Sequence, residues 1–146
     1  MSEVLKGGCL CGAVRYSANA EPMMVGHCYC VDCRKTSATS HATHLVMPED
    51  AVSFTGDLSC YDRPADSGNI VRRSFCPKCG SAVLSHNDGM PGLAFLRASS
   101  LDNPDAISPT ANVYTSRAPA WAILDESIPS FAEMPEGGPE AMIAAQ

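Results

Sequence analysis

The sequence predicts a single, mainly β domain. Its 146 residues suit one domain with one hydrophobic core. Eleven glycines and eleven prolines interrupt the chain, so the segments between them are short. Those segments carry β-branched and aromatic side chains, whereas a helical period of apolar residues is hard to find. We therefore expect one domain of short antiparallel strands over residues 1–131, followed by a C-terminal tail over residues 132–146.

Five segments have the composition of strands, and they are residues 13–18, 41–48, 51–56, 69–75 and 93–101. Two of them end at Pro48 and Gly56. Residues 61–69 contain turn-forming residues throughout, so we expect a loop there. Only residues 31–39 leave room for a helical turn. The tail contains two prolines and two glycines, which predicts order only at its far end.

The composition argues against several classes of partner. The net charge is −6, and no run of Lys and Arg exceeds two residues, which disfavours binding to nucleic acid. No apolar run approaches the roughly 20 residues of a membrane span. The N-terminal residues MSEVLKGG lack the apolar segment of a secretory signal. We therefore expect a cytoplasmic protein with no membrane partner.

Seven of the eight cysteines fall into two groups. Disulfides are rare in a reducing compartment, so metal or redox chemistry is the better interpretation. The first group, called here the four-cysteine group, is Cys9, Cys11, Cys76 and Cys79. Its second half, CPKC followed by glycine, is typical of a zinc knuckle, and four thiolates form a closed structural zinc site. A redox dithiol at CPKC is the alternative, but no thioredoxin-like βαβ pattern surrounds it.

The second group, called here the three-cysteine group, is Cys28, Cys30 and Cys33 in HCYCVDCRK. Three thiolates occupy three corners of a tetrahedron, and a fourth corner open to substrate is typical of a catalytic zinc. Three thiolates make zinc a poor Lewis acid but a good partner for another sulfur. We therefore expect an incoming thiol to be held as thiolate against an electrophile. Two alternatives stay open: His27 or Cys60 closes the site, or the three thiols bind no metal.

Several motifs together resemble a known family. They are GGCLCGAVRY, HCYCVDCRKTS, FCPKCGS, SSLDNP and SRAPAW with IPSF, and they cover residues 5–131. The sequence resembles the glutathione-dependent formaldehyde-activating enzyme family, which is related to centromere protein V. The resemblance implies an Mss4-like β-tent fold, with a structural zinc on the four-cysteine group and a catalytic zinc on the three-cysteine group. It also implies a reaction that joins glutathione to formaldehyde through a carbon–sulfur bond.

The sequence departs from the family pattern at three places. Ser37 and its neighbours stand where the family often has glycine, Ala120 is an added residue before Trp121, and Asn112 stands where histidine is common. We expect these residues near the rim of the pocket, where they would bear on the substrate rather than on the fold.

Four basic residues are candidates for binding an anionic substrate. Arg34 and Lys35 directly follow the last cysteine, so they could pair with the carboxylates of a glutathione-like thiol, or simply face solvent. Arg72 and Arg73 are neighbours on a predicted strand, so one is expected to face inward.

The remaining candidates have ordinary structural roles as alternatives. His41 and His44 are expected to face opposite ways, and one could approach the three-cysteine group as a proton carrier. Cys60 is expected to be a buried free thiol. Trp121 and Phe131 are expected to pack the C-terminal segment over the sheet.

These observations predict a zinc-dependent carbon–sulfur lyase or synthase that acts on a small thiol adduct. Cys28, Cys30 and Cys33 are the predicted catalytic residues, and glutathione is a candidate co-substrate. The alternative is a non-catalytic binding module held together by zinc, like the Mss4 relatives.

Overall fold

The computed structural model describes residues 5–138 of the chain. Within this range lie ten strands, one α-helix and four short 3-10 helices. The strands and the α-helix are, in chain order, β1 (Leu5–Gly8), β2 (Arg15–Ala18), β3 (Met24–Cys28), α1 (Val31–Ser37), β4 (Ala42–Pro48), β5 (Val52–Thr55), β6 (Ser59–Pro64), β7 (Ile70–Phe75), β8 (Ala82–Asn87), β9 (Leu93–Arg97) and β10 (Ala111–Val113). The 3-10 helices span Glu49–Ala51, Ala98–Ser100, Pro104–Ala106 and Thr115–Arg117.

The strands form two sheets, which confirms the expected mainly β fold. The small sheet has the order β1-β2-β5, and the large sheet has the order β10-β3-β4-β9-β8-β7-β6. All pairs are antiparallel except β10, which runs parallel to β3. The parallel pair differs from the antiparallel pairing we expected throughout. It is possible because the connection from β9 includes two 3-10 helices, which bring the chain back to the far edge of the sheet.

The two faces of the large sheet have different roles because side chains alternate along each strand. One face carries Val25, Leu45 and Leu96, which belong to a buried cluster shared with Val14 and Tyr16 of the small-sheet region. The opposite face carries a second apolar cluster, which includes the three-cysteine group. The main core therefore lies between the sheets, and the candidate site lies on the outer face of the large one.

Helix α1 begins inside the three-cysteine motif. The Cys30 sulfur caps the helix by accepting a hydrogen bond from the backbone N–H of Cys33 at 3.3 Å. The helix continues to Ser37 and ends at Ala38, which adopts a left-handed conformation with φ of 64°. The helix is therefore longer than the single turn that we expected.

The five predicted strands are confirmed as β2, β4, β5, β7 and β9, with ends shifted by at most four residues. The expected loop at residues 61–69 was wrong in its first half. Strand β6 continues to Pro64 at the edge of the large sheet, where proline can be accommodated, and only the following residues form the turn. None of the described helices has the length and hydrophobicity needed to cross a lipid bilayer.

The described part of the predicted tail remains attached to the domain. Ser116 donates from its backbone N–H and its hydroxyl to the carbonyl oxygen of Ala132 at 3.1 and 2.7 Å. Met134 packs against the outer cluster of the large sheet. The boundary at residue 131 stays a prediction, and the far end of the tail, residues 139–146, lies outside the described residues.

Leu45 tests whether the cluster between the sheets carries the stability of the fold. It is fully buried on β4, so Leu45→Ala should lower the free energy of unfolding by about 2–5 kcal/mol. Chemical denaturation measures this change. Ile123→Ala is the control, because Ile123 is 93 % exposed and its truncation should cost less than about 0.5 kcal/mol. Equal losses from the two variants would contradict this assignment of the core.

Candidate metal centres and the adjoining cavity

The four-cysteine group comes together at one point. Its four sulfurs all lie within 4.8 Å of one another. The Cys11 sulfur is 3.7 Å from that of Cys9 and 3.8 Å from that of Cys76. In a tetrahedral zinc site with bonds of about 2.3 Å, neighbouring sulfurs are about 3.8 Å apart. The spacing of these sulfurs therefore fits a closed tetrahedral ion.

Backbone N–H groups and a tight turn surround the sulfurs of this group. The backbone N–H of Val14 donates to the Cys9 sulfur at 3.2 Å, and that of Lys78 donates to the Cys76 sulfur at 3.4 Å. Gly80 adopts a φ of +77° and closes the turn after Cys79. Hydrogen bonds from Ser81 lower the pKa of the Cys79 thiol to about 5. The hydrogen bond from Val14 lowers the pKa of the Cys9 thiol as well, and a lowered pKa favours the thiolate form that a metal requires.

The three-cysteine group lies where β3 passes into α1. Cys28 ends β3, Cys30 caps the helix, and Cys33 lies in its first turn. Their sulfurs also lie within 4.8 Å of one another. Cys28 and Cys33 are buried, and Cys30 is half-buried. The strand-to-helix junction thus brings together three ligands from only six consecutive residues.

Without a metal ion, the three thiols of this group differ in how readily they ionise. Hydrogen bonds from Cys28 and Cys33 lower the pKa of the Cys30 thiol to about 2. Hydrogen bonding to Cys30 and Cys33, together with burial, raises the pKa of Cys28 well above its usual value. One thiolate is therefore stabilised at the cost of its neighbours. A divalent cation would allow all three to ionise together, so the donor set suits a soft metal such as zinc.

The two side chains considered as a fourth ligand lie elsewhere. His27 directs its Nδ1 to the Thr43 hydroxyl at 2.7 Å, and its ring contacts that of His41. Cys60 lies on edge strand β6 with its sulfur 3.3 Å from the Ser74 hydroxyl. Cys60 is exposed, so the expectation of a buried thiol was wrong, because β6 covers no core. Within residues 5–138, the group contains no ligand besides its three cysteines.

His44 is the histidine that approaches the group. Its Nε2 lies 3.5 Å from the Cys33 sulfur, and its Nδ1 is buried with no partner among the described residues. Burial lowers the pKa of His44 to about 3, so the imidazole is neutral near pH 7. His41, by contrast, lines a separate cavity together with His27.

A cavity of about 390 Å³ adjoins the three-cysteine group. Its floor is the outer face of the large sheet. Five paired residues form a row across this floor, and they are Met24, Val46, Phe95, Ser85 and Arg73 on β3, β4, β9, β8 and β7. The surface of the cavity is mainly apolar at the cysteine end and becomes polar toward β7.

Ion pairs hold the rim of this cavity. Asp32 on α1 accepts from Arg63 on β6 at 3.2 Å. Arg117 donates to Asp66 in the β6–β7 turn at 3.1 Å and to Glu133 at 3.3 Å. The pairs connect the helix, the turn and the C-terminal segment. Because all of them are partly exposed, we assign them to shaping the entrance rather than to stability.

A buried arginine lies behind the cysteines. Arg97 is 6 % exposed and donates to the Thr36 hydroxyl at 2.9 Å. No carboxylate within the part of the chain that the structure describes forms an ion pair with it. The cysteine sulfurs are the anionic groups that act on it. A buried cation needs a compensating charge, so Arg97 favours a thiolate form of the group. Sequence reasoning missed this residue, since an arginine at a strand end carries no local signal.

The comparisons with known proteins agree with these features. Residues 4–117 match the family described as glutathione-dependent formaldehyde-activating enzyme. This chain belongs to that family. A relative from Halomonas elongata, named "Putative glutathione-dependent formaldehyde-activating enzyme", is 30 % identical over 129 residues, which cover 84 % of this chain and 82 % of the relative. Among solved structures, a Rhodobacter sphaeroides protein has the same fold with a TM-score of 0.56 at 17 % identity, covering 86 % of this chain and 99 % of that one.

The departures from the family pattern lie away from the cavity. Ser37, Asn112 and Ala120 are not among its lining residues. Ser37 lines the separate cavity near His27 instead. Asn112 is fully buried on β10, where its side-chain amide donates to the carbonyl oxygen of Asp125 at 3.0 Å. Our expectation that they form the pocket rim is therefore not supported, because Asn112 is buried in the sheet, Ser37 lines another cavity and Ala120 is exposed outside the lining.

The predicted anion-binding residues are distributed differently from expectation. Arg34 and Lys35 lie on α1 but do not line the cavity, so their role in binding stays a prediction. Arg73 lines the cavity and is half-buried, whereas Arg72 is exposed. The strand alternation of this pair is as expected.

Asn112 should anchor the C-terminal segment to the sheet. Asn112→Ala removes the bonds to Asp125 and to the Ser130 hydroxyl at 3.1 Å, which should cost about 1–3 kcal/mol of stability. Thermal unfolding followed by circular dichroism measures the loss. The exposed Asn19 is the matched control, because Asn19→Ala removes no side-chain hydrogen bond described here and should leave the melting temperature almost unchanged.

Proposed function

We propose that this chain forms or cleaves the carbon–sulfur bond of a small thiol adduct with the help of zinc. The observation that carries the proposal is the three-cysteine group at the wall of a cavity, with no fourth ligand from the described chain. Glutathione is the candidate thiol, and formaldehyde or another small electrophile is the candidate partner. The name of the family supports this choice of reactants.

We assign different roles to the two cysteine groups. The four-cysteine group supplies a complete ligand set and joins the β1–β2 and β7–β8 turns, which suits a structural ion. The three-cysteine group supplies an incomplete set beside the cavity, which suits a reactive centre. A zinc ion bound there would lower the pKa of an incoming thiol and hold its sulfur in place.

The proposed reaction is the addition of a thiol to a carbonyl group. In the forward direction the sulfur of the thiol attacks the carbonyl carbon of the electrophile, a carbon–sulfur bond forms, and the carbonyl π bond breaks. The thiol proton ends on the carbonyl oxygen, which becomes a hydroxyl group. The reverse direction releases the thiol and the carbonyl compound. The apolar side chains Met24, Val46 and Phe95 would limit water near the reacting carbon.

We infer that the partner is a small molecule and that the protein works in the cytoplasm, where eight unpaired cysteines stay reduced.

Metal content separates the roles of the two groups. We expect nearly two zinc ions per purified chain, measured by mass spectrometry of the metal. Cys30→Ser should lose about one of them with a small change in melting temperature. Cys76→Ser should reduce folding and solubility, because it removes a ligand that connects two distant turns. Equal loss of fold from both variants would argue for a non-catalytic module with two structural ions.

Cobalt substitution tests the open coordination position. We expect added glutathione to change the visible absorption of the cobalt-loaded protein, since a new sulfur ligand alters the charge-transfer bands. The change should disappear in Cys30→Ser and persist in Cys60→Ser, whose thiol lies outside both groups. A spectrum that glutathione leaves unaltered would overturn the proposed function.

A further inference from the structure

We propose that Arg73 is the anion-binding residue of the cavity, and that the thiol bound there carries a carboxylate group. This inference rests on the proposed function, because the sulfur of the ligand is assigned to the three-cysteine group. Arg73 would bind the ligand at a second point, its carboxylate, and so define the class of thiol that the cavity accepts.

The position of Arg73 in the sheet directs it toward the cavity. Arg73 is half-buried on β7 and is paired in register with Ser85, another lining residue. Its neighbour Arg72 points to the opposite face, where it is exposed and donates to Asp62 at 2.8 and 2.9 Å. The two arginines thus provide a matched pair, with the same charge but opposite surroundings.

Arg73 differs from the other arginines of the cavity in having no carboxylate partner. Arg63 pairs with Asp32, and Arg117 pairs with acidic residues at the rim. No such pair involves Arg73 within residues 5–138. Arg73 shares the cavity with the three-cysteine group. A partly buried guanidinium without a carboxylate partner is suited to an anion that arrives from outside.

The spacing across the sheet limits the length of the ligand. Arg73 on β7 lies three strands away from Val46 on β4. Strand β4 also carries His44, which contacts Cys33, so β4 marks the cysteine end of the cavity. Three strand spacings amount to about 14 Å, and the side chains at both ends shorten the gap. Phe95 and Ser85 form the floor between the ends. The geometry therefore suits a thiol whose carboxylate is separated from the sulfur by a short, largely apolar chain.

A carboxylate is a suitable partner for Arg73. A guanidinium can bind both carboxylate oxygens through two parallel hydrogen bonds. The net charge of −6 opposes a general attraction of anions to this protein, so any anion preference must come from a local cation.

Two thiols of similar size test the proposal. Isothermal titration calorimetry of the zinc-loaded protein with 3-mercaptopropionate and with 3-mercaptopropionamide, compared at equal thiolate concentration, measures the contribution of the carboxylate. We expect the acid to bind at least about tenfold more tightly than the amide. Arg73→Gln should remove this preference, so that the acid and the amide bind with nearly equal affinity, whereas Arg72→Gln should retain the preference.

The possible results separate the inference from the proposed function. If wild-type protein binds the acid and the amide equally well, Arg73 is not the anion site, although binding of thiols still supports the proposed function. If neither thiol binds, the proposed function fails and the inference fails with it. If Arg73→Gln does not fold, the wild-type comparison decides, and Arg73→Lys serves as the second variant. Because lysine keeps the charge but cannot form the paired hydrogen bonds, it should retain only part of the preference.

Discussion

The alternation of side chains across the large sheet is the constraint on which the rest of the structure depends. Alternate residues of β3, β4 and β9, among them Val25, Leu45 and Leu96, belong to the main core between the sheets. Residues between them, among them Met24, Val46 and Phe95, form the floor of the cavity. The two faces cannot be exchanged without shifting a strand by one residue, which would expose the whole core. The shape of the candidate site therefore follows from the same register that stabilises the fold.

Two arginines lie near the three-cysteine group, one on each side. Arg97 approaches from the protein interior, while Arg73 approaches from the cavity. Neither has a carboxylate partner within residues 5–138, in contrast to the arginines at the cavity rim. A set of three thiolates is more negative than one divalent ion can neutralise, so positive side chains nearby reduce the cost of burying it. The arrangement suits a centre that keeps an excess of negative charge.

Much of the fold could be predicted from the sequence, but several elements could not. Strands such as β2 and β7 have clear composition and alternation, and they were predicted close to their actual positions. Strand β3 was missed because its glycine and cysteine residues hide the alternation, and β10 is too short to produce a pattern. The two cysteine groups were visible because their cysteines occur in the short motifs CLC, CYCVDC and CPKC. Strand alternation also identified Arg73 as a candidate, whereas Arg97 was missed, since its role depends on the packing of elements that are distant in sequence.

The sequence separation within the two cysteine groups determines when each one can form on a growing chain. The three-cysteine group spans only residues 28–33, so all of its sulfurs leave the ribosome almost together. The four-cysteine group needs residue 79 as well as residue 9, so it becomes complete only after the first half of the large sheet has been synthesised. Closing that long loop costs conformational entropy that the local group does not incur. The residues of the three-cysteine group are therefore all available earlier in synthesis than those of the four-cysteine group.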